Sequence, residues 1–253
     1  VSLYNRLGFD VVETVNDSRY IMKNDNNSSK YYAAYNERYK TAHAHGVSWS
    51  SDVSTPIVME VIEKYNISHD QQLLEIGCGE GGNLLPFAQM GCSVIGIDIS
   101  KTRISQARQF FNEEKMQAQF ICMDFNTADK PQCDNERYDI ILVHDVIEHI
   151  EPNNKTDFIN NIKLFLKHDG IVFFGFPAWQ NPFGGHQQIS HGFASKLPFI
   201  HLLPNLIYRG LPRLSGASQA TINELMSIKR SRMPIERFER LAAHCGFAII
   251  NRS

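Results

Sequence analysis

The feature that most constrains this chain is a buried strand that runs directly into a cluster of glycines, Leu73-Leu74-Glu75-Ile76-Gly77-Cys78-Gly79-Glu80-Gly81-Gly82. Glycine lacks a Cβ, so the backbone can turn sharply and approach a ligand closely where a strand meets the start of a helix. Gly77, Gly79 and Gly82 also fit the G-x-G-x-x-G spacing. The motif predicts a nucleoside-containing cofactor at the end of this strand.

Strand-like and helix-like segments alternate through the middle of the chain. The apolar runs predict five strands, at 72–76, 94–99, 119–123, 139–144 and 171–176. Helical spacing predicts helices at 82–90, 100–114 and 156–167. This alternation predicts a three-layer, doubly wound α/β fold, in which helices cover both faces of a mostly parallel sheet.

The regular alternation stops after the fifth predicted strand. Residues 177–232 are rich in proline and too long for an ordinary loop, so they predict a helical insertion that caps the acceptor site. Short helices are expected near 197–203 and 220–229, followed by a helix over 234–245 and a strand over 247–250. Residues 1–51 are interpreted as an N-terminal extension or lid. The main domain is expected to span 52–253, beginning with a helix over 52–65.

Composition excludes several classes of protein. The chain has 253 residues, 43% of them hydrophobic, and a net charge of -2, which excludes wholesale disorder. No apolar run approaches the roughly 20 residues of a membrane span. The five cysteines are odd in number and form no CxxC pair, so neither a disulfide framework nor a zinc knuckle is expected, and a cytoplasmic location is predicted.

Charge is distributed unevenly along the chain. Residues 180–253 contain nine Lys and Arg against three Asp and Glu, whereas residues 1–179 contain 16 against 24. The basic part predicts a polar or anionic acceptor. Its basic run, 229–232, is interpreted either as a solvated surface or as a contact to an anionic acceptor, a membrane surface or a nucleic acid. The run is too short to predict nucleic-acid binding.

Two acidic residues follow the next two predicted strands. Asp98 ends the second strand, where a carboxylate can accept hydrogen bonds from ribose hydroxyls, and Asp124 ends the third. The glycines and Asp98 fit both a nicotinamide dinucleotide and S-adenosylmethionine. Glu75 favours the second, because an acid suits a cationic amino-acid moiety and does not suit a pyrophosphate.

Together these motifs, with Asp145-Val146-Ile147-Glu148-His149, resemble the class I S-adenosylmethionine-dependent methyltransferases, and most nearly the ubiquinone-biosynthesis type of O-methyltransferase. The resemblance covers about residues 52–176. It implies a Rossmann-like fold with a seven-stranded sheet and S-adenosylmethionine as cofactor. It also implies that the methionine part contacts Glu75 and the glycines, the ribose contacts Asp98, and the adenine contacts Asp124 and Phe125. The predicted cofactor-binding residues are Glu75, Gly77, Cys78, Gly79, Asp98, Ile99, Asp124, Phe125, His144 and Asp145.

The motif Asp145-x-x-Glu148-His149 has two interpretations. A helical turn would place its three polar side chains on one face. Related methyltransferases carry a similar motif that can hold a divalent metal, for which His186 or His191 would be a further ligand. The alternative is that Glu148 and His149 only buttress the turn. A bound metal is not expected. A divalent metal at this motif is the alternative.

The acceptor is expected to meet the segment that follows the fifth strand. Trp179 and Phe183 are the predicted acceptor-binding residues there, with Trp49 as an opposite wall, and His186, His191 and His149 are the candidate catalytic bases. The predicted function is methyl transfer to a small or lipid-like acceptor, on oxygen. The alternatives are a cofactor-binding subunit without catalysis and an NAD-dependent oxidoreductase.

Overall fold

The computed structural model describes residues 65, 67–190 and 192–250, with the backbone alone at 134, and the backbone of Asp10–Thr14 and Tyr20–Lys23. The described residues fall into two compact units. The sheet unit includes those within Tyr20–His144 and Leu164–Phe174, and the helical unit those within Asp145–Lys163 and Gly175–Ser253. Trp49, His191 and almost all of the predicted helix over 52–65 lie outside the described residues.

The described residues contain a five-stranded sheet in the sheet unit, with the strand order β5-β4-β3-β6-β7. β3 pairs in parallel with β4 and with β6, and β4 pairs in parallel with β5. Two further strands, β1 and β2, pair with each other. The strands are β1 Asp10–Thr14, β2 Tyr20–Lys23, β3 Gln72–Ile76, β4 Ser93–Asp98, β5 Gln119–Cys122, β6 Tyr138–His144 and β7 Leu166–Gly175.

The central strands are apolar on both faces, which is typical of a parallel sheet covered on both sides. Leu73 and Leu74 of β3 are fully buried, as are Ile141 and Val143 of β6. This arrangement confirms the prediction of a doubly wound α/β fold. The resemblance implied seven strands in the main sheet, of which the described residues supply five.

Six α-helices lie in the described part of the chain. They are α1 Leu85–Gln89, α2 Lys101–Glu113, α3 Lys155–Phe165, α4 Asn205–Leu214, α5 Gln219–Ser231 and α6 Ile235–His244. Ser100 caps α2, because its hydroxyl accepts a hydrogen bond from the backbone N–H of Arg103. The predicted helix over 82–90 is a 3₁₀ turn, Gly82–Leu84, that leads into α1, with Pro86 in the first turn of that helix.

The boundary between α3 and β7 differs from the prediction. The helix was expected to run to Lys167, but it ends at Phe165 and β7 begins at Leu166. A Cβ at Gly170 would lie 3.0 Å from the carbonyl oxygen of Asp139. Glycine therefore permits a close approach of two strands here.

The insertion is helical, as predicted, but its details differ. α4 was not predicted, because Pro212 lies inside it. α5 begins and ends near the predicted 220–229, and 3₁₀ turns occupy Ala194–Lys196 and Ile200–Leu202. The strand predicted over 247–250 is wrong: these described residues have no strand structure. No described helix is long and apolar enough to cross a membrane.

Each unit has its own buried cluster. In the sheet unit, the ring of Phe111 packs edge-on against Phe110 and Phe120, at centroid distances of 5.6 and 4.9 Å. In the helical unit, Tyr208 of α4 packs with Leu225 of α5. Burying a large apolar side chain contributes about 1.5–3 kcal/mol, so these clusters hold the helices in place.

Candidate active site

The glycine loop leaves β3 in a backbone conformation that side chains disfavour. Gly77, Gly79 and Gly81 all have positive φ, at 75°, 52° and 82°. The N–H groups of Gly77 and Cys78 both donate to the carbonyl of Ile97, at 2.7 and 3.0 Å. The loop is therefore tied to the end of β4, and a residue with a Cβ would be strained at its turns.

Glu75 lies beneath this loop on β3 and is 1% exposed. Its Oε1 accepts a hydrogen bond of 2.6 Å from Asn83 Nδ2, while no described residue donates a hydrogen bond to its Oε2. Burial raises the pKa of Glu75 to about 8; the Asn83 hydrogen bond lowers it and the charge of Asp98 raises it further. A buried carboxylate with one unsatisfied oxygen is poised to receive a cationic or donor group.

Asp98 is buried at the end of β4 and holds the loop by its carboxylate. Its Oδ2 accepts from Gly79 N–H at 3.0 Å, and its Oδ1 accepts from Ser100 N–H at 2.7 Å. Each oxygen has a second lone pair, so ribose hydroxyls remain compatible with these contacts. The next residue, Ile99, is 77% exposed.

Asp124 and Phe125 differ sharply in exposure. Asp124 is exposed and caps the 3₁₀ turn Phe125–Thr127, with its Oδ1 accepting from Asn126 N–H at 2.9 Å. Phe125 is 4% exposed, and its ring lies 5.0 Å from that of Phe165. Since the Phe125 ring is packed into the interior, half-buried Met123 is better placed for contact with an adenine.

The sheet unit also carries two further predicted cofactor residues. Cys78 is buried in the glycine loop, and burial raises the pKa of its thiol above the usual range. His144 is half-buried at the end of β6. Both therefore lie on the carboxyl side of the sheet, where open α/β sheets bind ligands.

The helical unit begins at Asp145, directly after β6. Asp145 has a positive φ of 52°, a strained conformation that Asp tolerates better than most residues. Its N–H donates to the carbonyl of Gly175 at 2.9 Å, and His149 N–H donates to the carbonyl of Val146. Strained backbone held by hydrogen bonds is typical of functional sites.

Three side chains of the helical unit converge on one point. Ligand atoms of Glu148, His149 and His186 all lie within 4.8 Å of one another. His186 Nδ1 is 3.4 Å and His149 Nε2 is 3.9 Å from Glu148 Oε1. His149 Nδ1 is also 3.6 Å from Glu224 Oε1. Asp145 is not a member of this group, and His186 takes the third place.

Glu148 is 1% exposed, and among the described residues none donates a hydrogen bond to either of its oxygens. A buried carboxylate requires compensation by cations or donors. The two histidines supply it when protonated, and so would a divalent metal, for which one carboxylate and two imidazoles are a suitable donor set.

Lys155 supports this group from α3. It is 0% exposed, and its Nζ donates to the carbonyl of Ile147. Burial lowers the pKa of Lys155 to about 8; Arg237 lowers it further, while Glu148 and Glu151 raise it. Lys155 was not predicted as part of the site, because a lysine is expected on the surface unless it is paired.

The segment after β7 is fixed by close backbone contacts. A Cβ at Gly184 would lie 2.4 Å from the carbonyl oxygen of Ala178, and a Cβ at Gly185 would lie 2.2 Å from His201 Cβ. Half-buried Trp179 packs edge-on against His201 at 4.6 Å, and His201 Nε2 lies 3.0 Å from the carbonyl of Trp179. Phe183 is also half-buried, and its carbonyl accepts from His186 N–H at 2.9 Å.

His201 was not predicted as part of the site. It is 0% exposed, and burial lowers its pKa. His201 holds the segment that carries Trp179, so it is a positioning residue and not a catalytic one. The only sequence signal was a histidine within an otherwise apolar stretch, Phe199-Ile200-His201-Leu202-Leu203.

The basic run over 229–232 is largely engaged within the unit. Lys229 Nζ donates to the carbonyl of Leu203 and lies 4.9 Å from the Tyr208 ring centroid. Arg230 pairs with Glu151. These contacts favour a structural role for the run over contact with an anionic acceptor.

A cavity of about 600 Å³ lies elsewhere in the sheet unit. It is lined by Gln71, Asp139 and Lys167, at the amino ends of β3 and β6 and the start of β7. Ligands of open α/β sheets bind at the carboxyl ends of the strands, so this cavity is not the candidate active site.

Part of the sequence matches a known protein family. Residues 73–170 match the family described as "Methyltransferase domain". Two curated relatives are named ubiquinone biosynthesis O-methyltransferase. The one from Rhodopseudomonas palustris is 33% identical over 101 residues, and the one from Pelagibacter ubique is 34% identical over 103 residues. Each alignment covers 40% of this chain, and it spans only 38% and 40%, respectively, of those relatives.

Solved structures show the same fold. The plantazolicin methyltransferase BamL, solved with SAH, is 18% identical with a TM-score of 0.50, and the match covers 88% of this chain and 68% of that one. A phosphoethanolamine N-methyltransferase from Haemonchus contortus, solved with S-adenosyl-L-methionine, has the same identity and TM-score over 76% of this chain and 36% of that one. At this identity the likeness establishes the Rossmann-like class I fold.

Proposed function

We propose that this protein, whose residues 73–170 match a methyltransferase domain family, transfers the methyl group of S-adenosylmethionine to a hydroxyl oxygen of a small or lipid-like acceptor. The observation that carries the proposal is the unsatisfied Oε2 of buried Glu75, next to a glycine loop whose Gly79 N–H donates to the Asp98 carboxylate. The names of the curated relatives support an oxygen acceptor.

The residues of the sheet unit fit the cofactor. When bound, S-adenosylmethionine supplies a methyl group on a positively charged sulfur, a strong electrophile. Glu75 would receive the amino group of the methionine part, and the Asp98 carboxylate the ribose hydroxyls. Exposed Ile99 and half-buried Met123 offer apolar surface to the adenine, while the Asp124 carboxylate accepts from its amino group. Gly77 and Gly79 keep side chains away from the ligand.

A hydroxyl acceptor must lose its proton during transfer, which calls for a base. We assign this role to His186, because Glu148 faces its Nδ1 at 3.4 Å and would stabilise the protonated ring. The proton would then be taken at Nε2, the ring nitrogen on the other side. His149, which approaches the same Glu148 oxygen, adds a second imidazole to the group.

Glu148, His149 and His186 would also be suitable ligands for a divalent metal. Metal binding is the alternative interpretation of the motif that contains Glu148 and His149. A bound metal would lower the pKa of a coordinated hydroxyl and would replace the base. The two mechanisms give opposite results with a chelator: activity is retained if His186 is the base and lost if a metal is needed.

Trp179 and Phe183 are the proposed walls for the acceptor. Their segment is fixed by Gly184 and Gly185 and by buried His201. Because the segment is already ordered, placing the two aromatic side chains against an acceptor does not carry a large entropic cost. Half-buried aromatic rings suit an apolar or aromatic acceptor that carries a hydroxyl.

The experiment uses methyl-labelled S-adenosylmethionine with extracts of small molecules and of lipids. The expected product carries the label as a methyl ether, and Asp98→Asn abolishes its formation. A matched control is Asp70→Asn, at an exposed position on the same unit. Cofactor binding without a labelled product from any fraction would instead show a binding subunit without catalysis.

A further inference from the structure

The loop that carries the buried carboxylate of the candidate site is attached to one face of α5. Ser231 is 0% exposed, and its hydroxyl donates to the carbonyl of Ile150 at 2.5 Å. One turn earlier, the hydroxyl of Ser227 donates to Glu151 Oε1 at 3.1 Å, and Arg230 pairs with the same carboxylate. Because residues four apart share one face of a helix, Ser227 and Ser231 hold the loop from the same side.

The segment that carries Trp179 is attached to the start of α6. Trp179 N–H donates to the carbonyl of Met233 at 3.0 Å. Gln180 Nε2 donates to Glu236 Oε2 at 2.6 Å, and Gln180 Oε1 accepts from Ile235 N–H at 3.3 Å. The residue before α6 is a proline, which offers no side-chain cap. Gln180 therefore supplies an acceptor that the first turn of the helix lacks.

Both attachments meet at the connection between α5 and α6, which we call the α5–α6 junction and define as residues 231–236. Only residues 232–234 separate the two helices. Arg237 Nη1 donates to the carbonyls of Ser231 and Arg232, at 3.4 Å in both cases, and Met233 is 1% exposed. The junction is thus short and packed, and packed interiors transmit a displacement from one side to the other.

The segment between Ala178 and His186 is a series of turns. Asn181 N–H donates to the carbonyl of Ala178, Gly184 N–H to that of Asn181 and His186 N–H to that of Phe183, at 2.9 to 3.0 Å. The segment therefore moves as one body, and its attachment to the α5–α6 junction sets the position of the His186 ring.

We propose that Ser231 and Gln180 are positioning residues, which together hold Glu148 and His186 at the separation that their pairing needs. Ser231 fixes the carboxylate side through the backbone of Ile150, and Gln180 fixes the imidazole side through the segment that ends at His186. The proposal rests on the proposed function, in which Glu148 stabilises the protonated His186. A displacement of about 1 Å near reacting groups can cost about 100-fold in rate, so the loss of either hydrogen bond should lower the rate of transfer.

The experiment uses the full chain, methyl-labelled S-adenosylmethionine at saturation and the extract fraction that gives the most labelled product. Ser231→Ala and Gln180→Ala should each slow label transfer by about tenfold or more, and should leave the calorimetric affinity for S-adenosylhomocysteine nearly unchanged. The matched controls are Ser215→Ala and Gln219→Ala, which also lose a side-chain hydrogen bond in the helical unit, at 3.0 and 2.9 Å, but away from the junction. Both controls should transfer label at nearly the wild-type rate.

Rescue separates positioning from a general loss of stability. Gln180→Glu alone would set two carboxylates against each other at the start of α6. Gln180→Glu combined with Glu236→Gln restores the hydrogen bond with donor and acceptor exchanged, and it keeps an acceptor for Ile235 N–H. The combined variant should recover most of the rate that Gln180→Glu loses.

The carbon–proton NMR cross-peak of the His186 ring gives a readout that does not need activity. It is identified by its absence in His186→Ala, and it should shift in Ser231→Ala and Gln180→Ala but not in the two controls. A shifted cross-peak in a protein whose wild type transfers no label would support the junction and overturn the proposed function. Unshifted cross-peaks with wild-type rates in both variants would overturn the junction proposal. Rates that fall only in step with melting temperature, in variants and controls alike, would also overturn it.

Discussion

His186 Nδ1 lies 3.4 Å from Oε1 of Glu148, a carboxylate that is 1% exposed. The two residues are far apart in the sequence, and a positive φ of 52° at His186 turns the chain at this point. A buried carboxylate facing an imidazole can orient the ring and stabilise its protonated form. This pair is the centre of the proposed chemistry.

Glu148→Gln should reduce kcat at least about 100-fold, in line with the usual contribution of general acid–base catalysis, and should leave KM for the cofactor nearly unchanged. The physical reason is that the neutral amide no longer stabilises a protonated His186. His186→Ala should cause a similar loss. Steady-state kinetics check both variants against His168→Ala, whose side chain is 97% exposed. Full activity in Glu148→Gln would remove the pair from the mechanism.

Glu75 should make the stability of the protein fall as pH rises. Its pKa is about 8 in the folded protein against an ordinary 4.5, so the folded state holds the proton more tightly than the unfolded state. The favourable contribution of protonated Glu75 to the free energy of unfolding is fully present below about pH 4.5. This contribution is lost as pH rises through 8, and the free energy of unfolding falls by up to about 1.4 kcal/mol per pH unit. Denaturant unfolding of wild type and Glu75→Gln, compared between pH 5 and 8, measures this difference. Parallel stability curves would show that Glu75 is ionised in the free protein.

Lys155 should make the stability of the protein change with pH in the opposite direction. Its pKa is about 8 in the folded protein against an ordinary 10.5, so the folded state binds fewer protons between these values. Stability therefore rises with pH from about 8 to 10.5, and Lys155→Met should lack this increment. The variant should also lower kcat, because the carbonyl of Ile147, next to Glu148, loses its donor. Lys101→Met, at an exposed position, is the control, and an identical pH slope in Lys155→Met would contradict the burial.

Two glycine substitutions should have opposite effects. Gly185→Ala should destabilise the protein by about 3 kcal/mol or more, because its Cβ would lie 2.2 Å from His201 Cβ. Gly210→Ala in α4 meets nothing within 4 Å and should stabilise it by about 0.5–1 kcal/mol. Thermal unfolding compares the two variants. A tolerated Gly185→Ala would mean that His201 does not hold the Trp179 segment.

The strands and the cofactor motif were predictable because their signals are local. Apolar runs mark a sheet buried on both faces, and the glycines with Glu75 and Asp98 follow strand ends. The group around Glu148 was only half predictable, since nothing local shows that His186 meets His149 while Asp145 does not. α4 was missed because Pro212 is normally a helix breaker, although it lies near the C-terminal end of that helix.

Contacts between residues distant in the sequence explain the other features that were not predicted. Lys155 and His201 are polar residues that only tertiary structure buries. Gly170 of β7 lies close to Asp139, and the Phe125 ring packs against Phe165. Each of these is a relation between segments that no local pattern records.

The most direct test of the central claim is calorimetric titration with S-adenosylhomocysteine, the demethylated cofactor. We expect one site with an affinity of about micromolar, which weakens at least tenfold in Asp98→Asn and is unchanged in Asp70→Asn, with melting temperatures showing that both variants are folded. Absence of binding to the wild type, or equal affinity in Asp98→Asn, would contradict the cofactor site at the glycine loop.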